Sequence, residues 1–186
     1  MHGRLAVMLT LSKSAIDSTW YEIRSGADVI EEIEIRFSLY RIPKSFDSVE
    51  LIHRWIEELE RKLVRNRAYR LISARSYPSS LLRKKLLEKK YSETLCNEMV
   101  EELQRLGYVQ DEEWARRLIE REFARGNGPR LIELKLKIKG VSPSQVRQII
   151  TREMERKKIR ELMKKGKTPQ SLVRKGFDYS LIEIFS

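Results

Sequence analysis

The sequence predicts a mainly α-helical protein, an elongated tandem of three-helix repeats preceded by a small N-terminal β element. Three observations carry that prediction. Shifting the chain by fifty residues lays residues 74–92 over 124–142 without a gap. From residue 45 onward, apolar residues recur at the spacing of a helix face. Before residue 44, β-branched and aromatic residues crowd around a single turn signal.

In chain order, "LAVMLTLS" and "TWYEIRSGADVIEEIEIRFSLYR" supply three strands, the last two joined as a hairpin at "SGAD". Pro43 ends this element, and "DSVE" at 47–50 has the pattern of a capping box opening a long helix. In that helix Leu51, Ile52, Trp55, Ile56, Leu59 and Leu63 follow helical spacing, which makes Trp55 a core residue rather than a base-stacking platform. The boundaries read as a β element at 1–44 and repeats at 45–106, 107–154 and 155–186.

The repeat settles an ambiguity in "LKLKIK" (134–139), which alternates as a strand would. Under the fifty-residue shift Leu81, Leu82 and Leu86 meet Leu131, Ile132 and Leu136, which is helical spacing. The alternation is absent from the first copy, so the segment is predicted to be a helix. Pro78 and Pro129 then fall near a first helical turn, and Gly140 falls where a glycine ends a helix. The match continues with Cys96 over Val146, Met99 over Ile149 and Val100 over Ile150. A third copy is shorter: "RKGFDYSLI" lies over "IKGVSPSQV", with Gly176 on Gly140. Because Pro143 to Lys165 contains no helix breaker, the third repeat's first helix is expected to continue directly from the second repeat.

The net charge of +11 is concentrated in the repeats. Residues 1–69 carry eleven basic and eleven acidic residues, and 70–186 carry twenty-seven and sixteen. One lysine-rich helix is ordinarily a solvated face. An excess spread over three modules favours a polyanion or an acidic protein groove as partner. The single cysteine, Cys96, stands over a valine and reads as a buried small hydrophobe. There is no disulfide framework, and the apolar run of "MHGRLAVMLTLSKS" is too short for a membrane span and lacks a clear cleavage site, so a cytosolic protein is expected. His2 and His53 have no ligand-spaced cluster, which disfavours a metal site. Gly126 and Gly128 lack a preceding strand, a third glycine and a Walker lysine–serine pair. A tight interhelix turn is the better reading. Carboxylate runs such as "IEELE" are explained by i,i+4 pairing, and nothing resembles an activated nucleophile.

The link "LGYVQDEEWARRLIE" (106–120) and above all "RGNGPRLIELKLKIKGVS" (125–142) resemble the RecX family, regulators of the RecA recombinase. The matching positions are Gly107–Tyr108, Asp111 to Glu113 with Trp114, Gly126-Asn127-Gly128-Pro129, and Lys139–Gly140. The resemblance covers roughly residues 45–185; the N-terminal hairpin departs from the family's usual opening. It implies a monomeric, non-enzymatic protein with no cofactor, which lies in the groove of the RecA filament on single-stranded DNA. Such a protein limits filament extension and lowers ATPase and strand exchange, and so bears on DNA repair and the SOS response. Charge, repeat position and family pattern together nominate Arg75, Lys84, Lys85, Lys89, Arg125, Arg130, Lys135, Lys139, Lys164, Lys165, Arg174 and Lys175 as filament or DNA contacts. Gly107, Asp111, Trp114, Gly126, Gly128, Pro129 and Gly140 are expected to be structural. The alternative is a non-sequence-specific module that binds single-stranded or duplex DNA without RecA. Against it, no helix start carries the Asn, Gln and Arg expected for base reading.

Overall fold

The computed structural model describes residues 8–15, 19–37 and 39–185. His2 and the expected strand's residues 5–7 lie outside the described residues. The fold is mainly helical, with repeated helix triples following a small antiparallel sheet. Two compact units are described in turn: residues up to Leu71 with Arg83–Glu101, and Ile72–Leu82 with Glu102 onward.

In the first unit, β1 (Leu9–Lys13), β2 (Trp20–Ser25) and β3 (Asp28–Glu34) form an antiparallel sheet in that order. The predicted hairpin is present, with Ser25 opposite Asp28 and Gly26 at φ +62°. Period-two alternation aims Leu9, Leu11, Tyr21 and Ile23 at a core completed by Ile35, Phe46 and Ile52. Trp55 is half-buried against that core, its ring edge-on to Phe46 with centroids 5.7 Å apart. The long helix α1 (Val49–Ala74) starts one residue later than the "DSVE" box implies, because the Ser48 hydroxyl, not Asp47, accepts from Leu51 N–H at 3.3 Å. α2 (Ser79–Leu87) and α3 (Glu93–Arg105) complete the first triple. Arg61 on α1 donates to Glu98 on α3 at 3.0 Å. Cys96 is buried among the core residues, and burial pushes its thiol up to about 11.

The second unit holds α4 (Asp111–Ala124), α5 (Pro129–Ile138), α6 (Val146–Ile149), α7 (Arg152–Lys164), α8 (Pro169–Arg174) and α9 (Tyr179–Glu183). "LKLKIK" is helical, with Pro129 at the first turn, and Ile132 and Leu136 are fully buried. Each such side chain stabilises the fold by about 1.5–3 kcal/mol through burial. One cluster gathers Ala115, Leu118, Ile119, Ile132, Leu136 and Val146, another Ile159, Leu162, Leu172, Phe177 and Leu181, and Phe123 packs against both. α8 has six residues where α5 has ten, so the trimmed repeat lost four residues, about one helical turn.

The expectation of an unbroken helix from Pro143 to Lys165 is corrected. Ile150 is extended (φ −102°, ψ 95°), and the Thr151 hydroxyl accepts from Met154 N–H at 3.3 Å, starting α7 afresh. A β-branched cap residue ended the helix where no Gly or Pro was present. The buried Glu155 carboxylate then ties the break together, accepting from Arg147 at 3.0 Å and from Asp178 N–H at 2.9 Å. Among the described residues no helix is long and apolar enough to cross a membrane.

Successive second helices of the repeats meet end to end. At the start of α5, Gly128 N–H donates to the Lys175 carbonyl at 2.7 Å and Arg130 N–H to the Gly176 carbonyl at 3.1 Å, both at the end of α8. At the start of α2, the Ser80 hydroxyl donates to the Lys139 carbonyl at the end of α5. At the first joint orphan N–H groups of a helix start are thereby satisfied by carbonyls at the end of the next repeat's helix, and the two helix dipoles are complementary. The approach leaves no room for side chains. A Cβ on Gly176 would lie 2.4 Å from Leu131 N, and one on Gly140 would lie 2.8 Å from Ser80. Both glycines also have positive φ (+83° and +66°). In the first repeat the matching residue is Lys90, with φ +63° and an exposed side chain.

Gly176→Ala is therefore expected to lower stability in urea denaturation well beyond Gly166→Ala. Gly166 has the same helix-ending conformation but open space around it, so its cost is only the left-handed penalty of roughly 1–2 kcal/mol. Lys90→Gly should raise stability by about 1 kcal/mol, since a glycine relieves the same penalty; equal costs for the two alanines would refute the joint as described.

Candidate functional site

The segment between α1 and α2 carries Arg75, Ser76, Tyr77 and Pro78 along one wall of a cleft of about 400 Å³ within the second unit. α4 supplies the facing wall as a stripe at helical spacing, Trp114, Arg117, Leu118 and Arg121. Leu81 and Lys139 complete the lining. Two contacts hold the walls in place. Asp111, in the first turn of α4, accepts from Ser79 N–H at 2.7 Å and from the Ser79 hydroxyl at 2.5 Å, capping α2 from outside. The Ser80 hydroxyl on the Lys139 carbonyl anchors the end of α5 beside it.

Four cations and no carboxylate line this cleft. The Arg75 guanidinium lies over the Tyr77 ring, 4.6 Å from its centroid. Arg117 Nε donates to Glu113 at 2.9 Å, and Arg121 stands 3.7 Å from Glu122. Among the described residues Lys139 has no carboxylate within ion-pair distance. Its ammonium is a compact uncompensated charge at the end of a helix.

Below the cleft, Glu122 organises a second set of cations. Its side chain is 8 % exposed and accepts from Lys135, from Asn127 Nδ2 at 2.8 Å and from Arg125 Nη1 at 3.1 Å. The hydrogen bond from Lys135, aided by that from Asn127 and by the charges of Lys135 and Arg125, holds this carboxyl below the ordinary range against the opposing effect of burial.

The nominated residues therefore divide. Arg75, Lys139 and Trp114 come together in the cleft, Asp111 and Gly140 make the contacts beside it, and Gly128 and Pro129 lie at the other end of α5, in its joint with α8. Gly107 ends α3's turn with φ +77°, and Gly126 follows α4 with φ +81°. Lys135 and Arg125 face Glu122, Arg130 reaches Asp178 at 3.5 Å, and Lys165 pairs with Glu161 at 2.6 Å. Lys164 and Arg174 are exposed, while Lys175 gives its carbonyl to Gly128. In the first unit Lys84 and Lys89 are exposed and Lys85 pairs with Glu88 at 2.8 Å. Tyr77, Arg117 and Arg121 were not foreseen. The signal was present in "WARRLIER", where Trp114, Arg117, Leu118 and Arg121 share one helix face.

Among the described residues no group of three or more His, Cys, Asp or Glu is arranged to hold a metal, and no catalytic constellation lines the cleft. The fold and cleft define a tandem three-helix-repeat protein with a cationic surface cleft. The chain is 35% identical over 85 residues to the regulatory protein RecX of Trichlorobacter lovleyi, covering 45% of this chain and 54% of that one. It is 32% identical over 88 residues to the regulatory protein RecX of Legionella pneumophila strain Corby, covering 47% and 59%. The chain thus spans about half the length of the curated relatives it matches. The fold resembles the crystal structure of RecX from Lactobacillus salivarius, with a TM-score of 0.61 at 21% identity over 67% of this chain and 93% of that one. A second structure, of a regulatory protein RecX, matches with a TM-score of 0.58 at 18% identity over 95% and 98%. No family model matches the chain. Over the matched part of its length the chain is similar to RecX proteins, and its fold is like theirs.

Glu122→Gln is expected to cost about 1–3 kcal/mol at neutral pH, since it removes the charge that Lys135 and Arg125 surround. A carboxyl held low when folded contributes stability above its ordinary value of 4.5 and loses it as pH falls through the lower folded value. Urea denaturation at about pH 7 and about pH 3 should show the gap between variant and parent closing in acid.

Proposed function

We propose that the protein is a regulator of the RecA recombinase that binds in the groove of the RecA filament on single-stranded DNA. It limits filament extension and lowers ATPase and strand exchange, and through these affects DNA repair and the SOS response. On this reading it acts in the cytoplasm as a monomer, without a cofactor.

The observation that carries the reading is that the residues of the family resemblance build one structure. Trp114 and Lys139 line the cationic cleft, Asp111 ties its walls through Ser79, Gly140 makes the joint beside it, and Gly128 and Pro129 make the joint at the other end of α5. A series of repeats joined end to end suits a partner that is itself repetitive, because several weak contacts then add by avidity. Excess positive charge in the repeats supports an anionic surface as part of that partner.

The test is RecA's DNA-dependent ATPase on preformed single-strand filaments, titrated with this protein, beside its binding to bare single-stranded and duplex DNA. Inhibition is expected at protein concentrations well below those that coat bare DNA. The midpoint should rise at least about tenfold between roughly 50 and 200 mM salt, as charge contacts are screened. Inhibition only once bare DNA is saturated would make the protein a plain DNA-binding module acting by competition.

A further inference from the structure

We propose that the cleft between residues 75–81, α4 and Lys139 receives an acidic peptide segment bearing an apolar side chain, supplied by a protein partner. This deepens the regulator reading and rests on it for the biological identity of the partner. The chemistry is set by the lining itself.

The floor is apolar, made by Pro78, Leu81 and Leu118. The rim is cationic, made by Arg75, Arg117, Arg121 and Lys139, and no acidic residue interrupts it. Cations gathered in one concave site repel one another, and an entering anion relieves that repulsion while the low-dielectric walls strengthen its attraction. Three of the four are guanidiniums, whose planar donor forks match carboxylates bidentately. Arg117 is held through Nε by Glu113, which leaves its terminal nitrogens free to point at a ligand.

Two observations favour a peptide over a nucleic acid strand. Sequence-tolerant binding of single strands uses aromatic faces on which bases stack. Here one face of Tyr77 is already covered by Arg75, and Trp114 is half-buried against the core of the second repeat. A phosphate backbone would also use only the rim and leave the apolar floor wet. An aliphatic or aromatic side chain flanked by carboxylates uses both surfaces, burying its apolar part on Leu81 and Leu118 while the carboxylates meet the arginines.

The experiment is fluorescence anisotropy of a short labelled peptide with Leu and Phe flanked by Asp and Glu, against the full chain. Parallel probes are the same peptide with Ser for Leu and Phe, and a labelled oligo-dT strand. Binding is expected for the first peptide, with at least a tenfold loss for Arg117→Glu with Arg121→Glu. The serine peptide should bind several-fold more weakly. Arg54→Glu with Lys62→Glu, the same charge change on exposed α1 positions, should leave binding unchanged. Arg117→Lys with Arg121→Lys keeps the charge but not the fork and should weaken binding by a smaller factor, which secures the test if the glutamate variant misfolds. Oligo-dT binding with the peptide unbound, equal binding of the two peptides, or no effect of the arginine changes would each overturn the proposal. RecA ATPase run with the same proteins separates the two readings. Filament inhibition that persists in the arginine variants after peptide binding is lost removes the cleft from the regulatory contact; peptide binding without any filament inhibition removes the regulator reading instead.

Discussion

The second unit depends on the end-to-end joint between second helices. Helix starts carry unsatisfied donors and helix ends unsatisfied acceptors, and a buried end without partners would cost several hydrogen bonds. Joining Gly128 and Arg130 N–H to the Lys175 and Gly176 carbonyls satisfies donors and acceptors at once, and the Ser80 hydroxyl satisfies the Lys139 carbonyl. The geometry needs backbone against backbone. Gly128 and Gly176 are where it occurs; Gly140 instead packs against the Ser80 side chain, and the cationic cleft lies beside the joint that Ser80 and Lys139 make.

From that constraint follows the way charge is distributed. An ion pair beneath a packed helix holds its partners tightly only when geometry and extra hydrogen bonds offset desolvation. Glu122 meets that condition with three donors, so Lys135 and Arg125 belong to the scaffold. Lys139 has no such carboxylate, and Arg75 is steadied by a ring rather than an anion. The cations available to a partner are therefore those that line the cleft, drawn from a helix end, a connecting segment and one face of α4.

Much of this was legible in the residues. The repeat identified three helix triples, Pro129 and Gly140 marked the ends of α5, and "SGAD" marked the hairpin. The break at Thr151 was not legible, because threonine is a common interior residue and becomes a cap only when its hydroxyl finds Met154 N–H. Nor was the cleft. Arg117 and Arg121 look like ordinary solvated residues of an amphipathic helix until residues 75–81 are placed across from them.

The sequence by itself determined the helical repeats, the sheet at the front and the excess of positive charge, because local periodicity and turn chemistry act over a few residues. Tertiary structure decided what each lysine does. Lys85 and Lys135 occupy equivalent positions, yet one pairs with Glu88 on its own helix and the other with buried Glu122 on α4. The equivalents of these carboxylates are Ile138 and Ile72, so the partner changes although the lysine does not. Lys135 and Lys139 are one helical turn apart but end in different surroundings, because α5 stops at Ile138 and Lys139 sits at the cap, held beside Ser80. Spacing along a helix fixes direction only while the helix continues; what faces a side chain is set by the neighbouring helix packed against it.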